Sequence, residues 1–62
     1  MKRIRSYKGY TIFELSEKEM ANRNVTSKFV LFTKDEMEQP AFCREIEMEA
    51  DTVEELIRFI DS

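Results

Sequence analysis

Ala41-Phe42-Cys43-Arg44-Glu45-Ile46-Glu47-Met48-Glu49-Ala50 runs directly into Asp51-Thr52-Val53-Glu54-Glu55-Leu56-Ile57-Arg58-Phe59-Ile60, and the apolar period changes at the junction from two to about 3.6. A strand feeding a helix is the reading. Phe42, Ile46, Met48 and Ala50 fall on one side of an extended chain, and Cys43, Glu45, Glu47 and Glu49 on the other, which predicts a half-buried strand. Val53, Leu56, Ile57 and Ile60 then stand at i, i+3, i+4 and i+7, a single apolar stripe with Phe59 at its margin. Thr52 with Glu55 has the spacing of a capping box; Asp51 with Glu54 would move the start by one residue. Strand and helix can bury their apolar sides against each other, and the chain upstream must supply the remaining strands.

Tyr7 to Leu15 is rich in aromatic and β-branched residues and reads as the first strand, with the basic lead Met1–Ser6 as its frayed start. Gly9, the only glycine, suggests a bulge there or a close approach of another group. Tyr10 and Ile12 lie on one side, and Tyr7, Thr11, Phe13 and Leu15 on the other, so neither side is polar throughout. Ser16 to Ser27 is a polar connection in which Ser16 and Glu19 fit a second capping box, with a helical turn over residues 17–21 ended by Asn22 and Asn24. Lys28 to Thr33 is a continuous apolar run of strand length, expected as a central strand buried on both sides. Lys34 to Pro40 reads as a turn, with Pro40 opening the next strand.

These elements predict one α+β domain over residues 1–62: a three-stranded antiparallel β-meander with one C-terminal helix packed on one face, in the order β-β-β-α. The pattern leaves a problem of coverage. One short helix covers one face, yet Phe29 and Leu31 cannot share a face with Val30 and Phe32. The second face is expected to be covered by a second copy of the chain, a homodimer with Phe13 and Phe32 at the interface; the competing account folds Met20 and Val25 back over it. A chain of 62 residues buries only about 60% of the surface its unfolded form exposes, which also favours association. A single cysteine allows no internal disulfide, and without histidine the common zinc sites are absent.

The net charge of −3 hides an asymmetry. Residues 1–31 hold seven basic and three acidic side chains, whereas residues 32–62 hold three basic and ten acidic. One expectation is that the basic first strand lies near the acidic last strand and pairs with it across the sheet. The functional alternative is an acidic face, carried by Glu45, Glu47 and Glu49, that meets a basic partner.

The chemistry available is narrow. No Ser-His-Asp or Cys-His arrangement is possible without histidine, and Cys43 among carboxylates is a poor setting for a nucleophile, so no catalytic residue is assigned. Glu45, Glu47, Glu49 and Asp51 would stand about 7 Å apart per step along a strand, too open a row for calcium, so no metal site is assigned either. Gly9 alone makes no phosphate-binding loop, and no cofactor is expected. Lys2, Arg3, Arg5 and Lys8 with Tyr7 and Tyr10 could make a basic, stacking strand surface, which keeps a small nucleic-acid-binding accessory as the alternative function; the acidic balance of the chain argues against direct nucleic acid binding. No apolar run reaches membrane-spanning length and no signal-peptide core opens the chain, so a cytoplasmic protein without membrane contact is expected, and the sequon Asn24-Val25-Thr26 reads as a chance match.

The opening Tyr7-Lys8-Gly9-Tyr10-Thr11-Ile12, the middle Phe32-Thr33-Lys34-Asp35 and the closing Ala50-Asp51-Thr52-Val53-Glu54-Glu55-Leu56-Ile57-Arg58-Phe59-Ile60-Asp61 resemble the short uncharacterised proteins of bacterial phages and integrated mobile elements. Those proteins have no catalytic residues to carry over. The resemblance implies a mobile-element protein that binds and blocks a host protein, an anti-defence inhibitor or regulator; on the acidic-face reading, a basic nucleic-acid-binding protein or nuclease is the partner expected.

Overall fold

The computed structural model describes residues 1–62, and it is an α+β fold with a four-stranded antiparallel sheet in the order β1-β2-β3-β4. The strands are β1 (Lys2–Tyr7), β2 (Tyr10–Glu14), β3 (Phe29–Phe32) and β4 (Met48–Ala50); the helices are α1 (Glu17–Arg23), α2 (Lys34–Met37) and α3 (Val53–Asp61), with a single 3₁₀ turn over Ala41–Cys43. The expected three strands and one helix are therefore corrected to four strands and three helices.

The first correction is at Gly9. The segment read as one strand is the second half of a hairpin: Lys8 and Gly9 take positive φ of 49° and 86°, and Tyr7 pairs with Tyr10 across this two-residue turn. Two successive positive φ values match the twist of antiparallel strands, and a glycine at the second position enters that region without a Cβ penalty. The basic lead is thus the edge strand β1. Its bulge lies between Arg3 and Arg5, not at Gly9.

β3 is the central, two-sided strand its apolar run predicts, antiparallel to β2 on one side and to β4 on the other. The sheet divides the core in two. Ile12, Leu31, Ala50 and Leu56 pack on the α3 face, joined by Val53, Ile57 and Ile60 from the helical stripe. Leu56 is fully buried, and Thr52 starts the helix by accepting from the Glu55 backbone N–H at 3.2 Å.

Phe13, Leu15, Val25, Val30 and Phe32 form the second cluster, on the opposite face, and Met20, Met37 and Ile46 pack against it. Phe13 and Phe32, expected at an interface between two copies, are core residues 8% and 0% exposed, in edge-to-face contact at 5.6 Å between ring centroids. One chain supplies the cover that the coverage argument sought from a second copy. The device is the end of α1. Asn24 takes the left-handed conformation (φ 59°), its N–H meets the Ala21 carbonyl, and the Val25 N–H returns to the Met20 carbonyl at 2.9 Å. This closure brings Val25 beside Met20, an apolar contact that usually accompanies it, and turns both onto the sheet. At the other end of α1 the capping box is complete: the Glu19 N–H donates to Ser16 Oγ and the Ser16 N–H to the Glu19 carboxylate.

The strand expected over residues 41–50 is real only at Met48–Ala50. Pro40 precedes the 3₁₀ turn rather than a strand, Phe42 is 88% exposed rather than inward, and Cys43 is exposed. The alternation changes phase at a bend on Glu47, so Ile46 serves the second cluster while Met48 serves the α3 face.

Candidate functional site

Strand order decides the electrostatics. β1 and β4 are the two outer edges of the sheet, so the basic first strand cannot pair with the acidic last one, and that expectation is overturned. The charges are instead held apart by the width of the sheet.

At the acidic edge, residues 41–47 are held in place by their neighbours. Arg44 donates from Nε to the carbonyls of Glu36 (3.2 Å) and Gln39 (3.0 Å) and from Nη2 to that of Met37 (3.0 Å), satisfying carbonyls at the end of α2. The Glu45 N–H donates to the Glu36 carboxylate at 3.0 Å, the Glu47 N–H to the Leu31 carbonyl at 2.8 Å, and Arg23 reaches the Ala41 carbonyl at 3.2 Å. Both arginines of this edge are thus committed to backbone carbonyls, and neither pairs with a carboxylate.

The three glutamates do not act alike. Glu45 and Glu47 are exposed and make no ion pair. Glu49 is half-buried and accepts from the Thr26 N–H (3.3 Å) and hydroxyl (2.9 Å), so it clamps the segment after α1 to β4. All three line one open depression of ≈ 530 Å³ together with Arg23, Val25 and Arg44. Six of its nine lining residues are polar or charged, and every buried side-chain nitrogen and oxygen of the protein has a hydrogen-bond partner. No three histidine, cysteine, aspartate or glutamate side chains gather where a metal ion could be held, and no helix is long and apolar enough to cross a membrane.

The ion pairs of the chain lie elsewhere and join segments far apart in sequence. Lys28 meets Glu14 at 2.9 Å, Lys8 meets Asp61 at 2.7 Å, and the terminal ammonium of Met1 meets Glu19. Hydrogen bonding to Lys8, and then to the Tyr7 hydroxyl, holds the Asp61 carboxyl below its ordinary range, while Asp61 raises Lys8. Lys28 lowers Glu14 in the same way, and the ammonium together with the Ser16 N–H lowers Glu19 to about 2. Lys2, Arg3 and Arg5 remain without an ion pair: Arg3 donates to Ser6 Oγ at 2.6 Å, and Arg5 lies 5.1 Å from the centroid of the Tyr7 ring. Lys8 lies 5.3 Å from the same centroid. The sequence alone did not single out Phe42 as exposed or Arg44 as the anchor of the acidic edge, because the alternation of 41–50 placed both in a strand. Comparison with protein-family models, with curated proteins and with solved structures gives no match for this chain.

Proposed function

We propose that the chain is a non-catalytic protein-binding module that meets a basic partner through its acidic edge, with Glu45 and Glu47 as the contacting carboxylates and Glu49 holding the edge in shape. The observation that supports this is the unequal use of charge there: Arg23 and Arg44 are spent on backbone carbonyls, whereas Glu45 and Glu47 stand free and exposed. A field of one sign steers a partner of the other, and hydrogen bonds along residues 41–47 present it on a pre-ordered backbone. Regulation or inhibition of a basic host protein is the role that this surface and the resemblance to mobile-element proteins suggest together.

The test starts from a partner isolated by pulldown from a bacterial lysate. Glu45→Gln with Glu47→Gln should slow its association about tenfold at low salt and flatten the salt dependence, with the melting temperature unchanged. Glu49→Gln should instead loosen the Thr26 contact and lower the melting temperature. Association kinetics indifferent to the double substitution would return both carboxylates to an ordinary solvated surface.

A further inference from the structure

The opposite edge carries a second, independent surface. β1 is the longest strand, six residues, and its only strand neighbour is β2, so one side of its backbone presents unpaired N–H and C=O groups. Its register sets Arg3 opposite Phe13 and Arg5 opposite Ile12, and those two apolar residues belong to the clusters on opposite faces of the sheet. Cross-strand partners share a face, so the two guanidinium groups flank the open edge from both faces. With Lys2 they are the cations of this strand that make no ion pair within the chain.

We propose that the outer edge of β1 is a docking strand for an acidic, extended peptide segment of another protein, which adds to the sheet as a fifth strand with its carboxylates alternating between Arg3 on one face and Arg5 on the other. Main-chain hydrogen bonds supply the affinity of such an addition and the alternate side chains its selectivity. The chemistry discriminates against the other occupants. A second copy of β1 would bring three further cations, Lys2, Arg3 and Arg5, into one strand pair with no carboxylate in either strand to meet them, and such an accumulation of like charge is destabilising. The features that keep copies apart, cations and a bulge, admit a strand of opposite charge. Nucleic acid lacks a bare stacking platform here, because the Tyr7 ring already carries Arg5 and Lys8 and its hydroxyl donates to Asp61. The β4 edge offers the same peptide only three residues and an acidic surround.

The experiment is an NMR titration of the full ¹⁵N-labelled chain with a synthetic peptide of about eight residues repeating Glu-Glu-Thr-Thr, which sets carboxylates on both faces of an added strand. Amide shifts and slowed exchange should concentrate on residues 2–7, and affinity should fall about tenfold between low and physiological salt. Arg3→Glu with Arg5→Glu should abolish the shifts. The same peptide N-methylated along one backbone edge keeps its charge and loses the ladder, so it should not bind, whether or not the double variant folds. Equal binding of the N-methylated peptide would reduce the site to diffuse charge attraction and overturn the proposal. So would an absence of shifts, shifts centred on β4, tighter binding of a thymidine oligonucleotide at the same residues, or peptide-free shifts at β1 that grow with protein concentration.

Discussion

The two faces of the sheet are covered by different kinds of chain. On one, a single helix carries a regular stripe, and Leu56 at its centre is fully buried against Ile12, Leu31 and Ala50. On the other, the cover is assembled from pieces: Met20 and Val25 from the end of α1, Met37 from the one-turn α2, and Ile46 from the extended segment before β4. Both faces reach comparable burial. What differs is the bond that holds the cover down, a capped helix in one case and, in the other, polar contacts that pin irregular backbone, chiefly those of Arg44, Glu49 and the left-handed Asn24.

Truncating one core residue on each face tests whether the patchwork buries as well as the helix does. Phe32→Ala should cost about 3–5 kcal/mol and Leu56→Ala about 2–5 kcal/mol, each comparable with the low end of the stability of a small domain, so both variants should be largely unfolded in a thermal melt. If Phe32→Ala melted within a couple of degrees of the parent while Leu56→Ala did not, the second face would be loosely closed and its cover would belong to something outside the chain.

Arg44→Ala sharpens the comparison because it loosens one cover and leaves the other alone. It removes three hydrogen bonds to the carbonyls of α2 and the turn after it, an expected loss of about 1–3 kcal/mol. Amide exchange should rise in residues 38–47 and stay unchanged in α3. A uniform rise through both would mean that the two faces open as one cooperative unit.

The smallest effect is acid sensitivity. Asp61, Glu14 and Glu19 all have folded pKa values below their unfolded ones, so their contribution is complete above the ordinary carboxylate range and fades as pH falls through the folded values, that of Glu19 being about 2. Lys8 is raised, so its share is present below its ordinary pKa and is lost only as alkaline pH passes the folded value. These groups are exposed and screened, and the melting temperature should therefore drift down gently below about pH 4. Asp61→Asn should flatten that drift by removing the link between the β1–β2 turn and the end of α3; an identical acid limb would show that the Lys8 pair adds nothing to stability.

The stripe of α3, the Ser16 and Thr52 caps and the two-sided β3 were legible in the residues because each is a local pattern with its own period or spacing. The hairpin was not, since Lys8-Gly9 lacks the Asn-Gly or Asp-Gly signature and sits inside a run of strand-forming residues. The strand over 41–47 was misread for a related reason. Its alternation is genuine in the sequence, but Pro40 and the ties of Arg44 bend the backbone, so apolar residues of one parity serve two faces or, for Phe42, none. Of the acidic row, its existence was readable, while its place on an outer edge and the diversion of Glu49 to Thr26 were not, because they depend on strand order and on a partner 23 residues away.

The sequence by itself determined a small α+β domain, a helix-closing C-terminus and the opposite charge of the two halves, since composition and periodicity are properties of the chain alone. Only the tertiary structure decided where those charges go and what covers the second face. Strand order sent the basic and acidic strands to opposite edges, leaving Arg3, Arg5, Glu45 and Glu47 without ion pairs, and the closure after Asn24 folded Met20 and Val25 inward. The reason is the same in both cases: pairing and coverage are contacts between residues far apart in the chain, selected by how all the apolar surface can be buried at once.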